Sequence, residues 1–312
     1  MNENKKKPLV VIVGSTAVGK TGVSIALAQR LNGEIVSADS RLLYRGMNIG
    51  TAKPSMEERD GIPHHLIDVA DPDQRWSLAI YQREAYKIIN DIHTRRKLPF
   101  LVGGTGQYIR SIIEGWNIPP QRPDYKLREA LNSWAEKIGA EGLYEGLKLI
   151  DPEAAEKMDY RNQRRTVRAL EVIFKTGQRF SDLRRKQECP YAPIVLGIER
   201  ARDELYERVD QRIENMLNDG LVEEVQGLLD AGYSPNLSTM SAIGYAEIIQ
   251  YLQGKICFEE SVTLIKRNTR TFVRRQANWF KPDDPRIHWF ESSSTLVDKM
   301  ELFIRRKLHG DG

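Results

Sequence analysis

The chain has 312 residues, 40% of them hydrophobic and 29% charged, with a net charge of +4. This length allows one large domain with an insertion, or two domains, and the composition describes a soluble protein with a sizeable core. Two distant cysteines, Cys189 and Cys257, exclude a disulfide framework or a zinc site and fit a reducing cytoplasm. No segment approaches the ~20 apolar residues a membrane span needs. Lys5–Lys7 reads as a solvated lead-in to a strand, not as a signal peptide.

The apolar run Leu9–Val13 predicts a first strand, and Thr21–Leu31 predicts an amphipathic helix. Between them lies GSTAVGKT, Gly14 to Thr21, which meets the spacing G-x-x-x-x-G-K followed by Ser or Thr. Backbone N–H groups from Gly14, Ser15, Thr16, Ala17, Val18 and Gly19, with the helix N-terminus behind them, are suited to a diphosphate or longer phosphate chain. Lys20 adds a mobile positive charge, and Thr21 offers a hydroxyl to a phosphate-bound Mg²⁺.

A short strand, Glu34–Ala38, then ends in Asp39-Ser40, and Gly46 to Asp73 reads as irregular. Ser77 is placed to cap a helix running to about Arg96. Strand Pro99–Val102, the turn Gly103-Gly104-Thr105-Gly106 and helix Gln107–Trp116 follow. Repeated strand–helix units of this length imply a parallel sheet with right-handed crossovers, and ligands bind at the carboxyl ends of such strands. The Gly14 loop, Asp39 and Thr105 are therefore expected to meet.

Asn117–Pro123 is Pro-rich and breaks the alternation, and Asp124 to Lys186 is purely helical in pattern. Pro193–Ile198 returns to strand, followed by helices at Asp203–Leu217, Leu221–Ala231, Ala242–Leu252 and Glu259–Phe280, a strand at Ile287–Phe290 and a terminal helix. The fold class is α/β, a phosphate-loop parallel sheet flanked by helices. Residues 1–116 and 191–312 form the core, and 117–190 form an all-helical insertion.

Asp39, a carboxylate at a strand end beside the phosphate loop, is placed to accept a proton from a nucleophile. An N-cap role, or ligation of a metal beside Thr21, stays open. Thr105 can offer its hydroxyl to a phosphate or leaving-group oxygen, or simply cap a glycine turn. The strand before Gly103 carries no terminal Asp, which speaks against a water-activating ATPase. His64-His65 suggests structure rather than metal, because adjacent side chains diverge and no third ligand is spaced for one. Arg208 and Arg212, one turn apart, either reach the phosphate edge or pair with Glu204 and Glu207.

Two basic clusters stand out. Arg161–Lys186 holds nine Lys/Arg against two acids, and Ser261–Lys281 holds six against none. In the second, Arg267, Arg270, Arg274 and Lys281 share one helix face that Trp279 and Phe280 close. Basic stripes with aromatics fit a nucleic-acid backbone with unstacked bases.

Eight blocks in order resemble the tRNA dimethylallyltransferases of bacterial type: GSTAVGKT, ADSRLLYRGMNIGTAKP, GIPHHLIDV, LVGGTGQYIRSIIEG, NQRRTVRALEV, RVDQRIENMLNDGLVEEV, SAIGYAEI and RNTRTFVRRQANWF. The resemblance runs from about Leu9 to Phe280, nearly the whole chain. Family members usually carry Pro where this chain has Ser15, a position that supplies backbone, so little effect is expected. The chain ends without the zinc finger of some eukaryotic relatives, as expected of a bacterial member.

The resemblance implies transfer of a dimethylallyl group from dimethylallyl diphosphate to N6 of the adenosine just 3′ of the tRNA anticodon, with Mg²⁺ as cofactor and the protein a monomer. It implies that Asp39 is the base, with Thr105 and Lys20 stabilising the leaving diphosphate and Arg212 adding a diphosphate contact. Asp39, Ser40, Arg41 and Leu42, then Gln163, Arg164, Arg165, Thr166 and Val167, with Thr105 and Arg128 beside them, would touch the anticodon stem-loop. The residues alone leave two rivals open: a small-molecule kinase binding ATP at the loop, and an RNA-binding protein that only senses a nucleotide.

Overall fold

A computed structural model describes residues 6–118, 124–183 and 188–310. β1 (Lys7–Gly14) has Leu9–Val13 fully buried, as a strand covered on both faces requires. It is followed by α1 (Lys20–Arg30), β2 (Gly33–Ser37), β3 (His64–His65), α2 (Leu78–Thr94), β4 (Leu98–Val102) and α3 (Gly106–Ile113). Next come α4 (Tyr125–Ile150), α5 (Pro152–Glu156), α6 (Gln163–Thr176) and α7 (Phe180–Leu183). β5 (Tyr191–Glu199) leads to α8 (Arg202–Asn218), α9 (Leu221–Asp230), α10 (Tyr245–Leu252), α11 (Phe258–Gln276), β6 (Ile287–Glu291) and α12 (Leu296–His309).

The six strands form one sheet in the order β3-β2-β4-β1-β5-β6, and every pairing is parallel. α1 packs with α12, and α2 with α3, against the strands. This is the α/β architecture that the repeated strand–helix units imply. Because β4 lies between β2 and β1, the turn after β4 is held between the loop after β1 and Asp39 after β2. α8 packs on α11, and α10 on both α9 and α11. Among the described residues no helix is long and apolar enough to cross a membrane.

The chain divides into two compact units, Met1–Ile113 with Pro190–Gly312, and Glu114–Cys189. The second has a core of its own, in which Leu131, Leu143 and Leu147 of α4 meet Val167, Leu170 and Ile173 of α6. Buried Glu171 ties this unit together. It accepts from the Asp124 amide at 2.7 Å, from Arg128 at 2.9 Å and from Arg168 at 2.6 Å. Burial alone would raise its carboxyl pKa, but the two guanidinium bonds outweigh it and hold the group below the usual range.

Several elements differ from their sequence patterns. His64-His65 forms an edge strand on β2, in a stretch expected to be irregular, because two residues are too short to show a period. Both histidines are structural there. His64 Nδ1 donates to Ile62 O at 2.8 Å, and His65 Nε2 meets buried Glu34 at 2.7 Å. α4 is broken at Gly139, whose φ of 79° and ψ of 161° are not helical. α3 stops at Ile113 ahead of Gly115, which has φ 56°, not at Trp116. α10 starts at Tyr245, not Ala242, because Gly244 has φ 96°. α11 ends at Gln276, so Lys281, Trp279 and Phe280 lie beyond the helix that was expected to carry them. Pro119–Pro123 of the Pro-rich break, Lys5 of the lead-in, and Arg184, Arg185 and Lys186 of the first basic cluster lie outside the described residues.

Candidate active site

The loop after β1 gains its shape from backbone conformations that most residues avoid. Gly14 has φ 149°, and a Cβ there would sit 2.7 Å from Ile198 O. Ala17 and Gly19 follow at φ 65° and 105°. Alternating conformations of this kind turn successive N–H groups inward as an anion-binding concavity. The amides of Ala17, Gly19 and Lys20 have no acceptor among the described residues, at the N-terminus of α1. Two loop amides are committed elsewhere. Val18 N donates to Ser15 O at 3.3 Å, and Thr16 N donates to Gln276 Oε1 at 2.8 Å. Thr16 and Val18 were expected to offer N–H groups to a diphosphate. Their hydrogens are already spent, on the turn and on α11, and Thr16 keeps only its hydroxyl.

Lys20 folds back over the loop, its Nζ donating to Gly14 O at 3.0 Å and Ser15 O at 2.8 Å. Burial pushes its ammonium down to about 8, against the pull of the Asp39 charge and with the push of Arg212. The Arg212 guanidinium is lowered mainly by burial, with Asp39 opposing. Both are buried cations, and an anion bound beside them would favour their charged forms.

α8 supplies the far wall. Arg208 Nε donates to Ala17 O at 2.9 Å, and Arg212 donates to Thr51 O at 3.3 Å. Both side chains turn to the cavity beside the Gly14 loop, and neither forms an ion pair with Glu204 or Glu207 among the described residues. Glu204, the carboxylate one turn away, is bound instead by Arg200. The segment 48–51 that meets Arg212 is itself held by Glu224 of α9. Its Oε2 accepts from Asn48 N and Ile49 N, both at 2.8 Å. Its Oε1 accepts from Gly50 N at 3.1 Å and from the Tyr245 hydroxyl at 2.5 Å. Burial, then the Glu224 charge, push that hydroxyl well above its usual range.

The turn after β4 is wedged where the strand order puts it. A Cβ on Gly103 would sit 2.3 Å from Ala38 O, so only glycine fits. Thr105 N donates to Ala38 O at 3.1 Å, and Thr105 Oγ1 accepts from Ser40 N at 3.1 Å. Asp39 Oδ1 accepts from Arg41 N at 2.9 Å, while Oδ2 has no hydrogen-bond partner among the described residues. The Gly14 loop, Asp39 and Thr105 do come together, through backbone as much as side chain.

Two cavities meet at this point. The smaller, about 240 Å³, has a lining half polar and half apolar that includes Lys20, Thr21, Arg208 and Arg212. The larger, about 510 Å³, is mainly apolar, walled by Val209, Ile213, Met216, Leu221, Ile265 and Trp279. Thr16, Asp39, Thr51 and Arg212 line both. The Asp39 carboxylate therefore stands at the junction of a cation-lined chamber and an apolar one.

Other expected contacts fall elsewhere. Leu42 lines the smaller chamber with Lys20, not the larger one, because the chain turns inward after Arg41. The Arg41 guanidinium reaches Ser238 O at 3.2 Å and Thr239 O at 3.3 Å while lining the larger chamber with Ser40. Thr166 and Val167 were expected to touch RNA, but both are buried, since they occupy the inward face of α6. The Arg128 side chain is committed to Glu171. Gln163 donates to Asn132 Oδ1 at 3.1 Å, Arg164 and Arg165 are exposed, and Arg164 lines an open groove of about 580 Å³. Arg270 pairs with Asp210 and lies over the Tyr206 ring, 5.5 Å from its centroid, so it is no free phosphate ligand. Arg267 and Arg274 stay exposed on α11. Sequence reasoning missed Gln276 and Glu224. Both lie in family-like blocks, but no local pattern marks a polar residue whose partner is more than 170 positions away.

The IPP transferase family model matches residues 42–283, and the isopentenyl transferase model matches residues 7–69. The chain belongs to the IPP transferase family. It is 50% identical to a tRNA dimethylallyltransferase of Roseiflexus castenholzii, over 96% of this chain and 98% of that protein. The crystal structure of a tRNA isopentenylpyrophosphate transferase from Bacillus halodurans matches with a TM-score of 0.74 at 40% identity, covering 98% of each chain. A eukaryotic dimethylallyltransferase captured acting on tRNA matches with a TM-score of 0.81 at 26% identity, over 98% of this chain and 80% of that one.

A member of this family handles a diphosphate substrate. Among the described residues no three His, Cys, Asp or Glu cluster as a metal site. Mg²⁺ does not need one, since it retains waters and is often held by one or two protein oxygens plus substrate phosphates. The Thr21 hydroxyl, which lines the smaller chamber, is a hard oxygen of that kind.

Proposed function

We propose that this protein transfers the dimethylallyl group of dimethylallyl diphosphate to N6 of the adenosine immediately 3′ of the tRNA anticodon, releasing diphosphate. The observation that carries the reading is Asp39 at the junction of a cationic phosphate chamber and an apolar one.

The diphosphate occupies the smaller chamber, against the loop amides, Lys20 and Arg212. Its allylic carbon points into the larger chamber, which takes the flipped adenine. The new bond forms between N6 and the allylic carbon as the bond from that carbon to the bridging oxygen breaks. The N6 proton passes to Asp39 Oδ2, and the electron pair of the broken bond leaves with the diphosphate. An exocyclic adenine amine is a poor nucleophile, so a carboxylate that accepts its proton as the bond forms lowers the barrier. Lys20 and Arg212, both buried cations stripped of much of their water, gain most from charge building on the leaving oxygen. Thr105, whose hydroxyl now holds Ser40, keeps the base-side loop in register with the diphosphate. The apolar walls exclude water from an allylic carbon with cationic character. When bound, Mg²⁺ held by the Thr21 hydroxyl and the substrate phosphates would neutralise diphosphate charge. Arg164 and Arg165, with Arg267 and Arg274, contact the phosphates of the anticodon arm, and the protein acts as a monomer.

The test is a transfer assay with Mg²⁺, labelled dimethylallyl diphosphate and an anticodon stem-loop. Label enters the RNA and is lost when the target adenosine becomes guanosine. Failure to label, with phosphate transfer or nucleotide hydrolysis when ATP is supplied, would replace this reading with phosphotransfer.

A further inference from the structure

Gln276, the last residue of α11, is nine-tenths buried or more and touches both catalytic loops. Its Oε1 accepts from Thr16 N of the phosphate loop at 2.8 Å, and its Nε2 donates to Gly104 O, in the turn before Thr105, at 3.3 Å. The fit at Gly104 is close. A Cβ there would lie 2.4 Å from Gln276 Nε2. One end of the amide must accept and the other must donate, so a carboxylate or a hydrocarbon of the same length satisfies at most one of the two loops.

We propose that Gln276 is a positioning residue for prenyl transfer, setting the distance between the bound diphosphate and the Asp39 carboxylate. The connection runs through named contacts. Gln276 fixes Thr16 on one side and Gly104 on the other. Thr105 follows Gly104, and its Oγ1 accepts from Ser40 N, next to Asp39. Leaving group and base sit on separate strand ends, and this bridge joins them from α11. A near-attack geometry tolerates little error, so slack here falls on the chemical step as well as on binding. The bridge also spends the Thr16 amide on α11, which leaves the anion to the amides of Ala17, Gly19 and Lys20.

The inference rests on the function proposed above, and its test separates the two. Gln276→Leu and Gln276→Glu are compared with the wild type by calorimetric titration with inorganic diphosphate, by melting temperature, and by kcat and KM for dimethylallyl diphosphate at saturating stem-loop. Gln276→Leu should raise the diphosphate Kd and the KM severalfold, because the phosphate loop loses its anchor on α11 and must be ordered when the anion binds, a cost that the freed Thr16 amide offsets only in part. It should also lower kcat, with stem-loop affinity within twofold of the wild type. Gln276→Glu retains the Thr16 contact but sets a carboxylate against Gly104 O, so kcat should fall at least as far. Diphosphate Kd and kcat unchanged within twofold in both variants would overturn the proposal. So would a lower apparent kcat with unaltered KM and diphosphate Kd, which marks fewer folded molecules and a merely structural role. A wild type that binds diphosphate but labels no RNA would sink the function, and the diphosphate titration would then decide the role of Gln276 in the loop by itself.

Discussion

Replacing Glu224 tests how the wall of the phosphate chamber is held. Its two oxygens accept three backbone N–H groups, from Asn48, Ile49 and Gly50, and the Tyr245 hydroxyl. Glu224→Ala removes both acceptor oxygens and with them all four hydrogen bonds. Each bond is worth roughly 1–1.5 kcal/mol net, and water can replace part of the outer pair, so the loss should be roughly 3–5 kcal/mol. A domain of this size loses a few degrees per kcal/mol, which puts the fall in Tm at roughly 10 °C. Glu224→Gln should cost about half as much, since its remaining oxygen can still serve Asn48 and Ile49 while Tyr245 turns its hydroxyl to accept from the amide. The same loop carries Thr51 O, the acceptor for Arg212, so diphosphate affinity should weaken with stability. Thermal melts followed by circular dichroism, with diphosphate titrations below the transition, read both effects. A Glu224→Ala protein that melts within about 2 °C of the wild type would refute the reasoning, because it would mean that water serves the three amides as well as the carboxylate does.

Asp39→Asn should lower kcat by roughly 10²–10⁴-fold with stem-loop affinity unchanged, and single-turnover transfer kinetics would expose a smaller role. Lys20 is pushed down to about 8 in the free protein, and a bound diphosphate favours its charged form. Diphosphate affinity should therefore fall as pH rises through about 8, and calorimetry on Lys20→Met, subtracted from the wild type, isolates this part of the profile. If the two profiles coincide, Lys20 does not titrate on binding. Arg164→Ala with Arg165→Ala should weaken stem-loop binding and reduce its log–log salt slope by about 2, and an unaltered slope would remove both from the RNA surface.

The basic clusters show how far residue counts go. Nine cations in Arg161–Lys186 read as one positive surface, yet Arg168 faces inward to Glu171 and Arg161 is locked to Asp159 at 2.6 Å. On α11, the three-and-four spacing correctly placed Arg267, Arg270 and Arg274 along one face. It could not show that Asp210 on α8 neutralises one of them. Spacing reports the face of a helix, whereas charge depends on what packs against that face.

By itself the sequence determined the phosphate loop, the parallel sheet and the strand-end positions of Asp39 and Thr105. These follow from local rules: an apolar run, a glycine spacing, and the fact that parallel strands end on one edge. Only the tertiary structure decided that β4 lies between β1 and β2 and so wedges Thr105 against Asp39. It also decided that Thr166 and Val167 turn inward, and that α8, α9 and α11 bring Arg212, Glu224 and Gln276 to the strand edge. Those contacts join residues far apart in the chain, where the partner is chosen by packing and no local pattern records it.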